Sequence, residues 1–533
     1  MTATGAAIRA GAAGLISLLA LGAGLGACAA STAGPETTTP MPVPLSAIIP
    51  APVAAHPDPA ADFTLDRSSV ITASGGAAAD PTARWLATLL RRGTGFPLPI
   101  VSSARQGERV IALVAGLADP SIGDEGYMLS VTPSEVVIRA SSGPGLFHGA
   151  ETLRQLLAAR IEDRGSPGPW MVSGGQILDY PRYPWRGAML DVARHFFSVA
   201  DVERYIDEIA LYKINVLHLH LSDDQGWRIA ISAWPQLATI GGSTEVGGGL
   251  GGYYTGEQYQ GIVAYAASRY ITVVPEIDTP GHVNAALASY PELNCDGIAP
   301  APYTGTDVGF SSLCVGKPIT TQFLDDVIGE LAALTPGAYI DIGGDEATTI
   351  PAPDYASFVE QVTQIVVKQG KTPVGWAEIG AATLPPGTVV EGWDTGHDAS
   401  VQEAAAHGAR VVLAPADHAY LDQKYDPETA LGLTWAGPVS VEASYAWDPA
   451  QYGVPAGQVE GVEATLFSET LTTMSDLEFM AFPRLPGIAE IGWSPPSSHS
   501  WDAYRERLAA QAPRWEALGF DFYRSPEVPW PAF

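Results

Sequence analysis

The sequence predicts a (β/α)8 barrel preceded by a small α+β domain. Two observations carry this. From Gly187 onward, eight short apolar segments of strand character alternate with helix-like stretches such as VADVERYIDEIALYK and TTQFLDDVIGELAALT. The segments are GAMLDVA, INVLHLHL, ITVVPEID, YIDIGGDE, PVGWAEI, TVVEGWD, RVVLAPA and GVEATLFSE. Alternation of this kind marks a parallel α/β sheet, and eight units in succession are the count that closes a barrel. Ahead of them, between Phe63 and Ala158, the pattern is mixed: ARWLATLLRR and GLFHGAETLRQLLAAR have helical periodicity, whereas RVIALVAG and GYMLSVTPSEVVIRAS read as strands.

The elements follow in order. Arg9 precedes an apolar run from Ala10 to Ala27 that ends at Cys28, so residues 1–28 have the make-up of an export signal. Leu25-Gly26-Ala27-Cys28 is similar to the lipobox of bacterial lipoproteins, in which Cys28 is the lipidated residue. An ordinary secretory signal is the other reading. Residues 29–62 are rich in Pro, Thr and Ala and read as a flexible linker. The small α+β domain is assigned to 63–178 and the barrel to 179–533. Within the barrel, Cys295 and Cys314 share one loop-like stretch. Export implies an oxidising compartment, so a single disulfide between them is the economical expectation, two buried thiols the alternative.

Composition narrows the function. Of 533 residues, 46% are apolar and 16% charged, which suits a globular body. The balance of 28 basic against 58 acidic residues gives a net charge of −30. That charge repels phosphate backbones and anionic lipid, so nucleic acid is excluded as a partner and a neutral substrate expected. No later stretch is long and apolar enough to span a bilayer, leaving a lipid at Cys28 as the one expected membrane contact.

Active sites of such barrels form at the C-terminal ends of the strands. Strand by strand, those ends carry Asp191, Arg194 and His195; Asp223 and Asp224; Glu276, Asp278 and His282; Asp345 and Glu346; Trp376 and Glu378; Trp393 and Asp394; Tyr420 and Asp422; Phe467 and Glu469. Aromatic faces stack on sugar rings and carboxylates bind hydroxyls, so the inventory fits a carbohydrate. In the adjacent pair Asp345–Glu346 each carboxylate opposes ionisation of the other, which favours a general acid. Neighbouring strand residues point to opposite faces. The two acids can therefore share a site only if the strand ends before them, as the preceding Gly343–Gly344 would allow.

RGAMLDVARHFF, NVLHLHLSDDQGWRI, VVPEIDTPGH, IGGDEA and VGWAEI, in this order, resemble the family-20 glycoside hydrolases, the β-N-acetylhexosaminidases. The likeness runs from about Phe63 to the C-terminus. It implies an exo-acting, retaining enzyme that removes terminal β-linked N-acetylhexosamine without a cofactor or metal. Its nucleophile is the substrate's own acetamide, through an oxazolinium intermediate. Carried over, Glu346 matches the general acid/base and Asp345 the residue that orients the acetamide and balances its charge. Asp223 and His282 match a dyad directed toward the acid, and Arg194 an arginine gripping sugar hydroxyls. Trp376 and Trp393 match walls of the acetamide pocket, Tyr420 a donor to the acetamide oxygen, and Asp422 and Glu469 hydroxyl ligands. Trp435 resembles an aromatic on the leaving-group side.

Two departures stand out: Asp341 where the family often has His, and Phe467 where Trp is usual. They leave open a lacto-N-biosidase-like relative that releases a disaccharide. A metal-dependent barrel hydrolase is the rival from another class, because His218 and His220 form an H-x-H pair. Metal sites of that kind need histidines from later strands, which VGWAEI and VVEGWD lack, so buried barrel histidines are the better reading. An inactive sugar-binding relative is opposed by the intact acid pair.

Overall fold

In the computed structural model, residues 41–116, 119–394 and 399–531 are described. Cys28 and the expected signal segment lie outside them.

The small domain carries strands β1 Ala54–Pro57, β2 Phe63–Leu65, β3 Val70–Ser74, β4 Ile100–Val101, β5 Val110–Ala115, β6 Tyr127–Val131, β7 Glu135–Ala140, β8 Trp170–Val172 and β9 Gly175–Asp179. Helices α1 Asp80–Thr94 and α2 Gly143–Leu156 occupy the two stretches with helical periodicity. Seven strands form one mixed sheet in the order β1-β9-β6-β7-β5-β3-β4. Leu86, Leu90, Leu146 and Leu153 of the helices pack with Ile111, Leu129 and Ile138 of the sheet in a core of its own.

One expectation is corrected here. The stretch 29–62 has the composition of a linker, yet from Met41 onward it is folded. Leu45, Ile48 and Ile49 are buried, and β1 pairs antiparallel with β9. Ala51 N donates to Glu490 and Val53 N to Asp179. A Pro-rich segment needs no helix or central strand when distant side chains accept its few N–H groups.

The barrel closes from eight parallel strands: β10 Trp185–Asp191, β11 Val216–His220, β12 Thr272–Glu276, β13 Tyr339–Asp341, β14 Thr372–Trp376, β15 Val389–Gly392, β16 Arg410–Leu413 and β17 Val459–Ala464. Strand β10 pairs with both β11 and β17, which completes the ring. Between strands run α3 Val199–Ala210, α4 Gly256–Ala267, α6 Pro318–Leu334, α7 Ala352–Lys368 and α8 Ala399–Ala406, with the short α5 Asn284–Ser289 after β12. Ser198 starts α3 with a reciprocal cap, its hydroxyl taking Asp201 N while the Asp201 carboxylate takes Ser198 N. Both sheet faces are covered, which is why β10 and β11 are buried at every position. Inside the ring, Trp185, Val216, Val274, Val374, Val389 and Val412 form an apolar plug.

Asp179 joins the two domains. It accepts from Tyr127, from Lys213 at 3.0 Å and from Trp493 Nε1 at 2.8 Å, all buried. Cys295 and Cys314 form a disulfide that closes the long loop after β12. No helix among the described residues is long and apolar enough to cross a membrane.

Candidate active site

The C-terminal ends of the strands surround a cavity of about 330 Å³. Arg194, His282, Asp345, Glu346, Trp376, Trp393, Tyr420, Asp422, Trp435, Phe467 and Glu469 all line it, so eleven of the twelve expected site residues meet there. The twelfth, Asp223, lies just beneath. It pairs with Arg194 Nη2 at 2.8 Å and faces His220 Nε2 at 2.8 Å and His282 Nδ1 at 3.3 Å.

The acid pair depends on how β13 ends. The strand stops at Asp341, whose carboxylate accepts Gly343 N at 2.7 Å. The chain then turns through left-handed conformations at Gly343 (φ 68°) and Gly344 (φ 109°), and again at Glu346 (φ 47°). Gly343 has a second reason to lack a side chain, since a Cβ there would come within 1.9 Å of Asp278 Oδ1. Strand alternation is thus over before the acids arrive. His282 Nε2 stands 3.4 Å from Asp345 Oδ2 and 3.3 Å from Glu346 Oε2, so both carboxylates converge on one ring nitrogen. Burial works against a charged His282, but the charges of Asp223 and Asp345 outweigh it and hold the imidazolium well above the ordinary histidine range. Asp278 is pushed the opposite way to an ordinary acid, well up, by burial and by Asp345.

The far wall is built to bind hydroxyls and an amide. Among the described residues, Asp345 Oδ1, Asp422 Oδ1, Glu469 Oε2 and Arg194 Nε are buried without a hydrogen-bond partner. Buried polar atoms are normally paired, so a polar ligand is the natural complement of these. Burial and the neighbouring Glu469 charge push Asp422 up to about 8, and Glu469 is raised as well. Aromatic rings supply the apolar surface: Tyr420 packs against Trp435 and Phe467, each at 5.5 Å, and Trp393 lies 5.9 Å from Trp435. Exposure runs in one direction, from Trp376 at 2% and Tyr420 at 3% on the floor to Val308 at 46% and Trp435 at 54% at the mouth.

The model for glycosyl hydrolase family 20, catalytic domain, matches residues 183–351 and 350–496, and that for domain 2 of the same family matches residues 45–180. The chain belongs to glycosyl hydrolase family 20. A β-N-acetylhexosaminidase of Cellulomonas fimi is 42% identical over 91% of this chain and 97% of its own length. Among solved structures, the family 20 β-N-acetylhexosaminidase of Streptomyces coelicolor A3(2) is 56% identical with a TM-score of 0.89, covering 92% of this chain and all of that one. A mutant Streptomyces plicatus β-hexosaminidase in complex with its product GlcNAc gives the same identity and TM-score over 92% and 99% of the two chains.

As a family 20 member the chain shows its two departures plainly. Phe467 lies on the cavity floor with the Arg194 guanidinium 5.0 Å from its ring centre. Asp341 joins a buried cluster on the barrel axis. There His218 donates through Nδ1 to Glu463 at 2.8 Å and through Nε2 to Glu276 at 3.0 Å, with Asp341 and Glu391 at 3.7 and 3.8 Å. His218, Asp341 and Glu391 are close enough together to approach a cation. However, an imidazole with both nitrogens directed at carboxylates is doubly protonated and has no lone pair for a metal. His218 is held well above its usual range by Glu463 and Glu276 despite burial. The histidines of the H-x-H pair fit a charged network better than a metal site.

Burial and the Glu276 charge push Asp341 up to about 8, against an ordinary 3.8. The folded protein therefore keeps a proton that the unfolded chain releases. Stability from this group is full below the ordinary carboxylate range and is lost as pH rises through about 8. In denaturant titrations, Asp341→Asn should lose less folding free energy than the wild type between about pH 4 and pH 8. Parallel pH slopes for the two proteins would show that Asp341 does not hold that proton.

Several cavity residues escaped the sequence reading: Thr306, Val308, Leu433, Asp278 in its lining role, and His220 on the floor. Thr306 and Val308 sit on the disulfide-closed loop after β12, and such loops form the rim of a barrel, so the signal was present. His220 is both a buried histidine and a neighbour of Arg194, with Nε2 3.2 Å from Nη1.

Proposed function

We propose that this family 20 β-N-acetylhexosaminidase is exo-acting and retaining, and that it removes one terminal β-linked N-acetylhexosamine with the substrate's acetamide as nucleophile. The observation that carries this reading is the convergence of Asp345 and Glu346 on His282 at a cavity that is buried at one end and open at the other. A dead-ended pocket takes a chain end rather than a chain middle. Glu346 gives its proton to the glycosidic oxygen as the acetamide oxygen attacks the anomeric carbon. Asp345 takes the acetamide N–H and offsets the positive charge that develops there. Glu346 then removes a proton from the water that opens the oxazolinium, which restores the β configuration. Trp376, Trp393 and Tyr420 enclose the acetamide, while Arg194, Asp422 and Glu469 hold the hydroxyls. The Streptomyces plicatus relatives are solved in complex with GlcNAc and with Thio-NAglucal, and a carbohydrate ligand at this chain's site accords with them.

A panel of chromogenic β-glycosides tests the reading. The N-acetylglucosaminide should be cleaved with retention and the β-glucoside left intact, because the glucoside has no acetamide to attack. Turnover of the glucoside at a comparable rate, or inversion, would overturn it. Release of intact lacto-N-biose instead of a single sugar would move the chain to the disaccharide-releasing branch.

The protein is further proposed to be exported and anchored by a lipid on Cys28, a reading supported by the apolar run and lipobox-like residues that precede it. In a bacterial host, wild type should fractionate with membranes and Cys28→Ser should not. A wild type found wholly in the medium, with another N-terminus, would leave export standing and remove the anchor.

A further inference from the structure

Glu276 is the last residue of β12. It does not line the cavity, and it is wholly buried. Nothing in the proposed chemistry uses it, yet three parts of the site meet on its carboxylate. Oε1 accepts the Nε1–H of Trp376 at 2.9 Å. Oε2 accepts from His218 Nε2 at 3.0 Å and from His220 Nδ1. Through its other nitrogen His220 faces Asp223 Oδ2 at 2.8 Å and Arg194 Nη1 at 3.2 Å. Asp223 continues to His282, and His282 to Glu346. Acids and imidazoles therefore alternate from the barrel axis to the cavity: Glu463, His218, Glu276, His220, Asp223, His282, Glu346.

We propose that Glu276 is a positioning residue that sets the acetamide wall, the hydroxyl-gripping arginine and the histidine beside the acid/base Glu346 in one common geometry. This inference rests on the hexosaminidase reading of the site. Three donors from β11 and β14 converge on two oxygens, and only a carboxylate accepts all of them. A glutamine at the same place offers one oxygen and two N–H donors, so either the Trp376 indole or the histidine side meets a donor instead of an acceptor. The Nε1–H is the one polar atom of the Trp376 side chain, and its ring packs 5.7 Å from His218 and 6.1 Å from Phe467, so the bond to Glu276 and those two rings together set its tilt. A displaced indole admits the sugar but no longer presses the acetamide oxygen toward the anomeric carbon.

The test uses the full-length enzyme with nitrophenyl N-acetylglucosaminide and a thiazoline that mimics the oxazolinium. Glu276→Gln should lower kcat by about 10²-fold, the scale of a small misplacement of reacting groups, with KM changed by less than about threefold. Thiazoline affinity should fall together with kcat. Trp376→Phe keeps an aromatic wall but removes the N–H, and the double variant should resemble the worse single variant rather than the product of the two losses. A purely structural glutamate would lower stability without that coupling. The proposal is overturned if Glu276→Gln keeps kcat and thiazoline affinity within about threefold of wild type, if the loss falls on KM, or if the two losses multiply. Should Glu276→Gln fail to fold, Trp376→Phe tests the same bond from its other end: thiazoline affinity reduced about tenfold or more supports the proposal, and unchanged affinity overturns it. A wild type without N-acetylglucosaminidase activity would remove the proposed function itself, whereas an active wild type with an unaffected Glu276→Gln removes only this inference.

Discussion

Glu346→Gln should lower turnover of a natural, poor-leaving-group substrate by about 10²–10⁴-fold, the usual contribution of a general acid and base. The amide keeps the size of the side chain and its place beside His282, but it can neither give up nor recover a proton. The structure sharpens the expectation. Glu346 reaches the cavity only because β13 ends at Asp341 and the chain turns through Gly343 and Gly344, so its carboxyl stands at the lining, one residue from Asp345. The loss should shrink for nitrophenyl glycosides, whose leaving group departs with little protonation. Steady-state rates on chitobiose and on the nitrophenyl N-acetylglucosaminide, measured side by side, decide the matter. Equal losses on both would assign Glu346 a different task.

Asp345→Asn should lower kcat by about 10²–10³-fold, the scale of removing one preorganised electrostatic partner of a transition state, while KM changes little. Positive charge appears on the acetamide nitrogen only as the oxazolinium forms, so the carboxylate's charge is needed late, and the ground state barely senses its loss. One oxygen of Asp345 is already engaged near His282, and Oδ1 is buried without a partner among the described residues, free to take the acetamide N–H. An asparagine retains an acceptor but offers no charge. Thiazoline inhibition should weaken in parallel with kcat, since the inhibitor resembles the charged intermediate. A large rise in KM with kcat preserved would mean that Asp345 binds the sugar rather than its transition state.

Much of this site was legible before any fold was known, because it depends on local rules. A parallel barrel places function at strand ends, and in this chain those ends carry acids and aromatics on every strand. Gly343–Gly344 before the acid pair marked where alternation had to stop. What local rules do not reveal shares a cause as well. Residues 41–62 look like a spacer because their partners, Gln155, Asp179 and Glu490, are between about 100 and 440 positions away in a chain whose N–H acceptors no local pattern reveals. Glu276 carried no signal of its own, being one acid at one strand end among many.

The order of strand and helix units, the residues that emerge at the barrel rim and the cysteine pair that closes the loop after β12 can all be read from the sequence. These follow from periodicity and chain connectivity, which are properties of neighbouring residues. Three features appear only in the folded chain: Asp345 and Glu346 meet on one histidine nitrogen, Asp341 is buried beside His218 with its pKa raised, and Glu276 accepts from Trp376 and from the histidines that lead to the acid. Each of those depends on distances between strands and on burial from water, and in a low-dielectric interior such distances set which groups share a charge, a proton or a hydrogen bond.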